Sequence, residues 1–351
     1  PDPAPEPDEP SDDEEETPSP EPDEPDDEPD EPSNLEFNPE QGLFNISNSD
    51  PSNNVLSHTL RGNPEETTEV GVVLLEDGQT FEEAVSNGSN IRTVFSAFPE
   101  QFDNGEAGAF EAIGELSRTL ALNSDRVGYV VAQDRTIDQI IRDGEFSELQ
   151  RDVLNTEELG ENTFNLSLDS GLSLEVEPGT GANSPNASQV QGQPEGEVYD
   201  LTDFAGETVN ATLLFDVISE ADFTNAVGFY AVDNASGTVN GVNPGEDGYS
   251  DAVLEAAVQD ETTGEDIILQ GGTTGNFEIE GGQTIAPFLL PDIGEVNELP
   301  DAGELFTPFA AANPEGAEHF RLLGDNIFGV EDLRGGGDQD FNDFVFGFDF
   351  A

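Results

Sequence analysis

The chain has 351 residues with 78 acidic and 9 basic side chains, a formal net charge of −69 at pH 7, and every basic residue is an arginine. A charge of that size repels nucleic acid and anionic lipid, and it opposes compaction unless salt or bound divalent cations screen it. Cysteine is absent, which excludes disulfides, thiolate metal sites and a cysteine nucleophile, and no run has the length and apolarity of a membrane-spanning helix.

The length is that of about two domains. Residues 1–33 hold 17 of the acidic residues and 11 of the 24 prolines, with no aromatic side chain. Such a segment cannot bury enough apolar surface to fold alone, and it is expected to be a disordered, extended spacer reaching up to ~100 Å at ~3.1 Å per residue. Methionine is missing even at position 1. A processed product or a fragment, with a signal peptide removed, is the expectation, and with it secretion to the cell surface or the extracellular space.

From Asn34 the composition changes abruptly. Short strands are expected at 35–37, 42–47 and 55–62, and EVGVVLLED (69–77) reads as a buried strand. Residues 81–98 and 106–122 place apolar side chains at spacings of three and four, with Phe110, Ile113, Leu116 and Leu120 on one face, which predicts helices. DRVGYVVAQD (125–134) returns to strand, 136–154 predicts a helix interrupted near Gly144, and 162–178 alternates as two strands. GTGANSPNASQVQGQPEGE (179–197) has the small, polar content of a linker. Strands resume at 198–204 and 208–218 and continue through GFYAVD, DIILQ and NFEIE. The expected fold is mainly β: two sandwich or jelly-roll domains, 34–178 and 198–351, with a few short helices. The halves also echo each other. Residues 55–77 followed by EEAV resemble 209–233 followed by YSDAVLEAA, and DRVGYVVAQDRTIDQI aligns with GQTIAPFLLPDIGEV. A degenerate duplication follows, whose first copy has no counterpart of GGGDQDFND.

The most distinctive stretch is the last, GDNIFGVEDLRGGGDQDFNDFVFGFDF (324–350). Gly335, Gly336 and Gly337 permit a sharp turn, and Asp338, Asp340, Asn342 and Asp343 then crowd hard oxygen donors into six residues. Asp325, Glu331 and Asp332 offer further carboxylates from a second turn. Calcium is the expected ion, on ligand number and loop flexibility; the alternative is that acids in so acidic a chain merely solvate a hairpin turn. An EF-hand is excluded, because its sixth position needs glycine and here is Asp343. Phe344, Phe346, Phe348 and Phe350 share one side of the strand that follows, with Val345, Gly347 and Asp349 on the other.

This motif, with NAVGFYAVDNASGTVNGVNPGEDGYSDAVLEAA, GGQTIAPFLL and AANPEGAEHFRLLGDN, resembles the domain-of-unknown-function family numbered 4114, over about 208–351. The resemblance implies a β-rich fold at the ends of secreted or surface bacterial proteins, a calcium association and no established catalytic activity.

No enzyme is expected. His58 and His319 are too few for zinc, and neither a G-x-S-x-G elbow nor a P-loop occurs. PGEDGY (244–249) reads as a β-turn, with Glu246 or Asp247 as a minor ligand. The expected function is that of a secreted calcium-binding structural protein of surface or matrix, self-associating into a fibre or layer or acting in adhesion. Glycans and other matrix proteins are the other expected partners, with no nucleic acid and no membrane insertion. The alternative is a calcium-dependent carbohydrate-binding module, against which phenylalanine's excess over tyrosine (24 to 4) and the absence of tryptophan weigh. A third reading is an acidic mineral-associated protein.

Overall fold

Period-two burial sets the architecture. The computed structural model describes residues 34–47, 54–62, 68–97, 115–151, 153–160, 162–179, 190–193, 197–219, 221, 223–296, 298–300, 304–337 and 341–351; the acidic tail lies outside them. The first half contains β1 (Asn34–Asn38), β2 (Leu43–Ser47), β3 (Asn54–Arg61), β4 (Thr68–Leu74), β5 (Ile91–Ala97), β6 (Leu116–Leu122), β7 (Arg126–Gln133), β8 (Val153–Gly160), β9 (Thr163–Leu168) and β10 (Ser173–Pro178), with helices α1 (Phe81–Val85) and α2 (Ile137–Asp143). The second contains β11 (Tyr199–Asp200), β12 (Thr208–Leu213), β13 (Ile218–Ser219), β14 (Ala226–Val232), helix α3 (Tyr249–Glu255), β15 (Ile268–Leu269), β16 (Asn276–Glu280), β17 (Thr284–Leu290), β18 (Phe320–Gly324), β19 (Ile327–Val330) and β20 (Phe344–Phe350).

The helices are short and locally specified. Thr80 and Glu83 form a capping box at α1, Thr136 and Gln139 another at α2, and Gly144 ends α2 in the left-handed conformation at φ 73°. Among the described residues, the longer helices expected over 81–98 and 106–122 are not found. The helix at Phe81 stops at Val85, and 91–97 and 116–122 are strands instead. Leu116 and Leu120 are four apart, a spacing that suits one helix face and one strand face equally. Pairing decides for the strand, because β6 runs antiparallel to β3 in register from Asn54↔Leu122 to Leu60↔Leu116. Phe110 and Ile113 lie outside the described residues.

The strands form four antiparallel sheets. Their orders are β1-β2-β7-β4-β5 and β6-β3-β10-β9-β8 in the first half, and β11-β17-β14-β15 and β16-β12-β20-β19-β18 in the second. Renaming β2 through β10 as β11, β12 and β14 through β20 converts the first pair of sheets into the second, leaving only β1 and the two-residue β13 without a counterpart. The helices follow suit: α1 comes after β4 as α3 comes after β14. This shared topology supports the internal duplication more firmly than the sequence echo does.

Each half is a sandwich. Phe44, Val70, Val72 and Tyr129 face Leu56, Leu120, Leu166 and Leu174 across the first core, and Phe229, Ile285 and Leu289 face Val209, Phe328, Phe346 and Phe348 across the second. A smaller cluster covers the outer face of one sheet in each half, with Phe81 and Ala84 of α1 and Ile137 and Ile140 of α2 in the first, and Tyr249 and Val253 of α3 in the second.

The two sandwiches are also tied together. Edge strand β18 lies beside edge strand β5. The Asp325 amide donates to the Ser117 carbonyl at 2.9 Å, and the Thr93 amide to the Gly192 carbonyl at 2.7 Å. Gly192 and Gln191 belong to the stretch whose composition reads as linker, yet Gln191 is fully buried and its side-chain amide donates to Asn326 Oδ1 at 3.1 Å and to the Val198 carbonyl at 3.0 Å. Its described residues Gln191 and Gly192 make hydrogen bonds to both sandwiches.

Candidate metal centre

The closing turn joins β19 to β20 through residues 331–343. Its counterpart in the first half is the tight β9–β10 connection, 169–172, so the second copy alone carries the long acidic insertion. Asp338 and Asp340, expected as ligands, lie outside the described residues. The rest of the turn is held from both sides.

Gly335, Gly336 and Gly337 all adopt positive φ, at 83°, 82° and 46°, conformations that glycine reaches without the Cβ clash of other residues. At Gly337 there is a second reason for glycine: a Cβ there would lie 2.2 Å from Glu331 Oε2. Glu331 is fully buried and points into the turn, where its Oε1 accepts the Phe341 amide at 2.8 Å. Its backbone is fastened by His319. The Glu331 amide donates to the His319 carbonyl at 2.9 Å, and His319 Nδ1 donates to the Glu331 carbonyl at 2.8 Å. Burial pushes the imidazole below its usual pKa, and stacking on Phe306 at 3.8 Å fixes its plane. His319 is therefore a neutral structural clamp on the turn.

Asp332 and Asp343 face each other across the base of the turn, with the Asp332 amide donating to Asp343 Oδ2 at 3.0 Å. Asp332 Oδ2 accepts Asn225 Nδ2 at 2.7 Å, and Asn225 Oδ1 in turn accepts the Asp292 amide at 3.0 Å. Asn342, half-buried, lies between Asp343 and Phe341. Phe341 has a positive φ of 54° and packs under the Arg321 guanidinium, 4.1 Å from its ring centre. Glu331, Asp332, Asn342 and Asp343 are thus gathered at one turn, and all their side-chain oxygens are hard donors of the type calcium takes.

Asp325 is elsewhere. It precedes β19 and Glu331 follows it, so the extended strand separates the two by roughly 13 Å at ~3.3 Å per residue, too far to share an ion. Asp325 Oδ1 instead accepts the Thr119 amide at 2.9 Å and lies 3.3 Å from Nη1 of Arg118, a fully buried arginine that also reaches Gln191 Oε1. Its role is to join the sandwiches. A carboxylate six residues before another looks like a co-ligand in sequence, but a strand of four residues keeps the two apart.

The phenylalanines of β20 lie as the alternation predicts. Phe344, Phe346 and Phe348 enter the second core, where Phe346 meets Phe229 and Phe328 edge-on, each at 5.8 Å. Val345, on the opposite side, is buried too, under Leu323 and Phe341. Phe341 is thereby part of the turn and part of the packing beneath it.

Residues 279–351 match the family model described as Domain of unknown function (DUF4114). The C-terminal fifth of the chain is thus similar to that family. No curated protein and no solved structure matches the chain. The DUF4114 segment begins in β16 and includes β17 to β20 and the whole closing turn. It does not make a sandwich alone, because β16 and β20 pair with β12, and β17 pairs with β11 and β14, all upstream of the match.

The reading of single residues missed Asn225, which anchors Asp332, and Arg321, which supports Phe341. It also missed a second group of acids, outside the turn itself: Asp138, Glu197 and Glu318 come together between the sandwiches.

Proposed function

We propose that the chain is a secreted calcium-binding structural protein of the cell surface or extracellular matrix, in which an ion at the closing turn locks β20 into the second sandwich. The observation that carries this reading is the burial of Glu331 and Asp332 beside Asp343, in a turn inserted only in the second copy. Asp332, Asp343 and Asn342 are the proposed ligands among the described residues, with Asp338 and Asp340 completing the set. Calcium would offset the mutual repulsion of these carboxylates and release β20 to pack. The wider charge of −69 fits a saline or calcium-rich setting, where screening is available. Self-association is the proposed use of the two joined sandwiches, with no catalytic role.

The carbohydrate-binding alternative draws less support. Among the described residues the exposed large apolar side chains are Leu159, Leu214, Phe223 and Leu333, so a flat aromatic platform for a sugar ring is missing from them.

Calorimetric unfolding tests the proposal. At a hundred times its dissociation constant, calcium adds about 2.7 kcal/mol to the stability of the form it binds, on the order of 5–10 °C in Tm for a single sandwich of about 150 residues. Wild type is expected to show that rise over chelated protein, and Asp343→Asn to lose most of it. Equal Tm values with calcium and with chelator would overturn the reading.

A further inference from the structure

The contact between the sandwiches holds a second acidic group, separate from the closing turn. Asp138 stands in the first turn of α2, Glu197 two residues before β11, and Glu318 two residues before β18. One carboxylate oxygen from each lies within 4.8 Å of the other two. All three side chains are buried, each residue being 7% exposed. Three exposed acids at that spacing would mean little in this chain; three enclosed ones need a compensating charge.

Further observations point to a ligand. Glu197, whose carboxylate is one corner of this group, keeps its Oε2 sealed from solvent and without a hydrogen-bond partner. The neighbours are already committed. Glu318 Oε2 accepts the Thr136 hydroxyl at 2.7 Å, and its Oε1 lies 3.7 Å from Arg321 Nε. Glu69, a fourth carboxylate alongside, takes the Ser96 hydroxyl at 2.6 Å and the Ile137 amide at 2.7 Å and lies 3.8 Å from the same Arg321. Burial first, and then the charges of Asp138, Glu318 and Glu69, push the Glu197 carboxyl well above the ordinary carboxylate range.

We infer that Asp138, Glu197 and Glu318 form a calcium site that bridges the two sandwiches. The geometry suits that ion. Atoms at the corners of a triangle 4.8 Å on a side lie about 2.8 Å from its centre, and a contraction to about 4.0–4.5 Å on a side brings them to the ~2.3–2.6 Å of a calcium–oxygen bond. Magnesium demands ~2.0–2.1 Å and near-ideal octahedral placement, which three side chains from separate elements do not pre-arrange. Each ligand comes from a different part of the chain: the first half, the connecting segment and the second half. An ion there forms bonds that exist only when the sandwiches are docked, so it stabilises their contact rather than either core. The inference does not rest on the closing turn, which has its own ligands.

Calcium bound per chain, measured by equilibrium dialysis of the full 351-residue protein in 0.15 M salt, tests this site. Screening at that ionic strength weakens diffuse binding by exposed carboxylates. Glu197→Gln is expected to bind one tight ion fewer than wild type, while Asp343→Asn keeps that ion. Removing a repelling charge, Glu197→Gln is also expected to unfold at a higher Tm than wild type in chelator and to show a smaller calcium-induced rise. Asp138→Asn, counted in the same way, serves if the first variant does not fold. Unchanged stoichiometry in either folded variant means that shared protons hold the three acids together, and it overturns the site. Loss of an ion in Asp343→Asn alone concerns only the closing turn.

Discussion

Gly337→Ala is the sharpest probe of how the closing turn is built. The new methyl carbon would stand 2.2 Å from Glu331 Oε2 and 3.4 Å from Glu331 Cδ, so the carboxylate must swing away. Glu331 is fully buried and its other oxygen holds the Phe341 amide at 2.8 Å, so the swing lengthens or breaks a charge-assisted hydrogen bond. Losing such a bond costs ~1.5–3 kcal/mol, and an alanine at φ 46° adds ~1–2 kcal/mol of left-handed backbone strain. The expected total is about 2.5–5 kcal/mol, or on the order of 10 °C in Tm for a domain of this size. Gly316→Ala is the control: Gly316 also has positive φ, 68°, but a Cβ there meets nothing within 4 Å, so it incurs the strain alone. Denaturant unfolding followed by far-ultraviolet circular dichroism measures both. If the two substitutions cost the same to within ~0.5 kcal/mol, Glu331 does not pin the turn and the account of it given above fails.

Three further outcomes are expected. Burial holds the His58 imidazole at a pKa of about 4, below its usual 6.5, so the unfolded chain binds the extra proton first. His58 therefore contributes full stability above pH ~6.5 and loses about 3 kcal/mol of it as pH falls to ~4; the stability difference between wild type and His58→Gln should carry that slope, and a flat difference contradicts it. Asp325→Ala removes an acceptor from the fully buried Arg118 and should cost ~3–5 kcal/mol by denaturant unfolding, whereas a cost under ~1 kcal/mol would make the pair incidental to the joined sandwiches. Phe346→Ala empties the space between Phe229 and Phe328 and should cost ~3–5 kcal/mol, against ~0.5 kcal/mol or less for the exposed Asp349→Ala on the same strand; equal losses would deny β20 its place in the core.

Strand alternation made most of the β elements legible, because a face buried against a second sheet leaves period-two apolar residues in the sequence. The signal failed where one spacing serves two periods. Leu116 and Leu120 fit a helix or a strand, and only the ladder to β3 settles which. The glycine turn was equally legible, since three consecutive left-handed residues all but require glycine. What the glycines accommodate was not. The proximity of Gly337 to Glu331 depends on how β19 and β20 lie together in the sheet.

The sequence by itself determined the β class, the repulsive charge and the hydrophobic side of the last strand, because each is a property of local composition and spacing; the duplication it only suggested, and the matching sheet orders carry it. The tertiary structure alone decided which of the 78 acidic residues matter. Exposed and buried carboxylates are identical letters, and the difference between them is the solvation each loses on folding. Asp325 moved from the closing turn to Arg118, and Asp138, Glu197 and Glu318 met although 180 residue numbers separate the first from the last. Long-range docking of two sandwiches removes those groups from water, and only then do they need a partner.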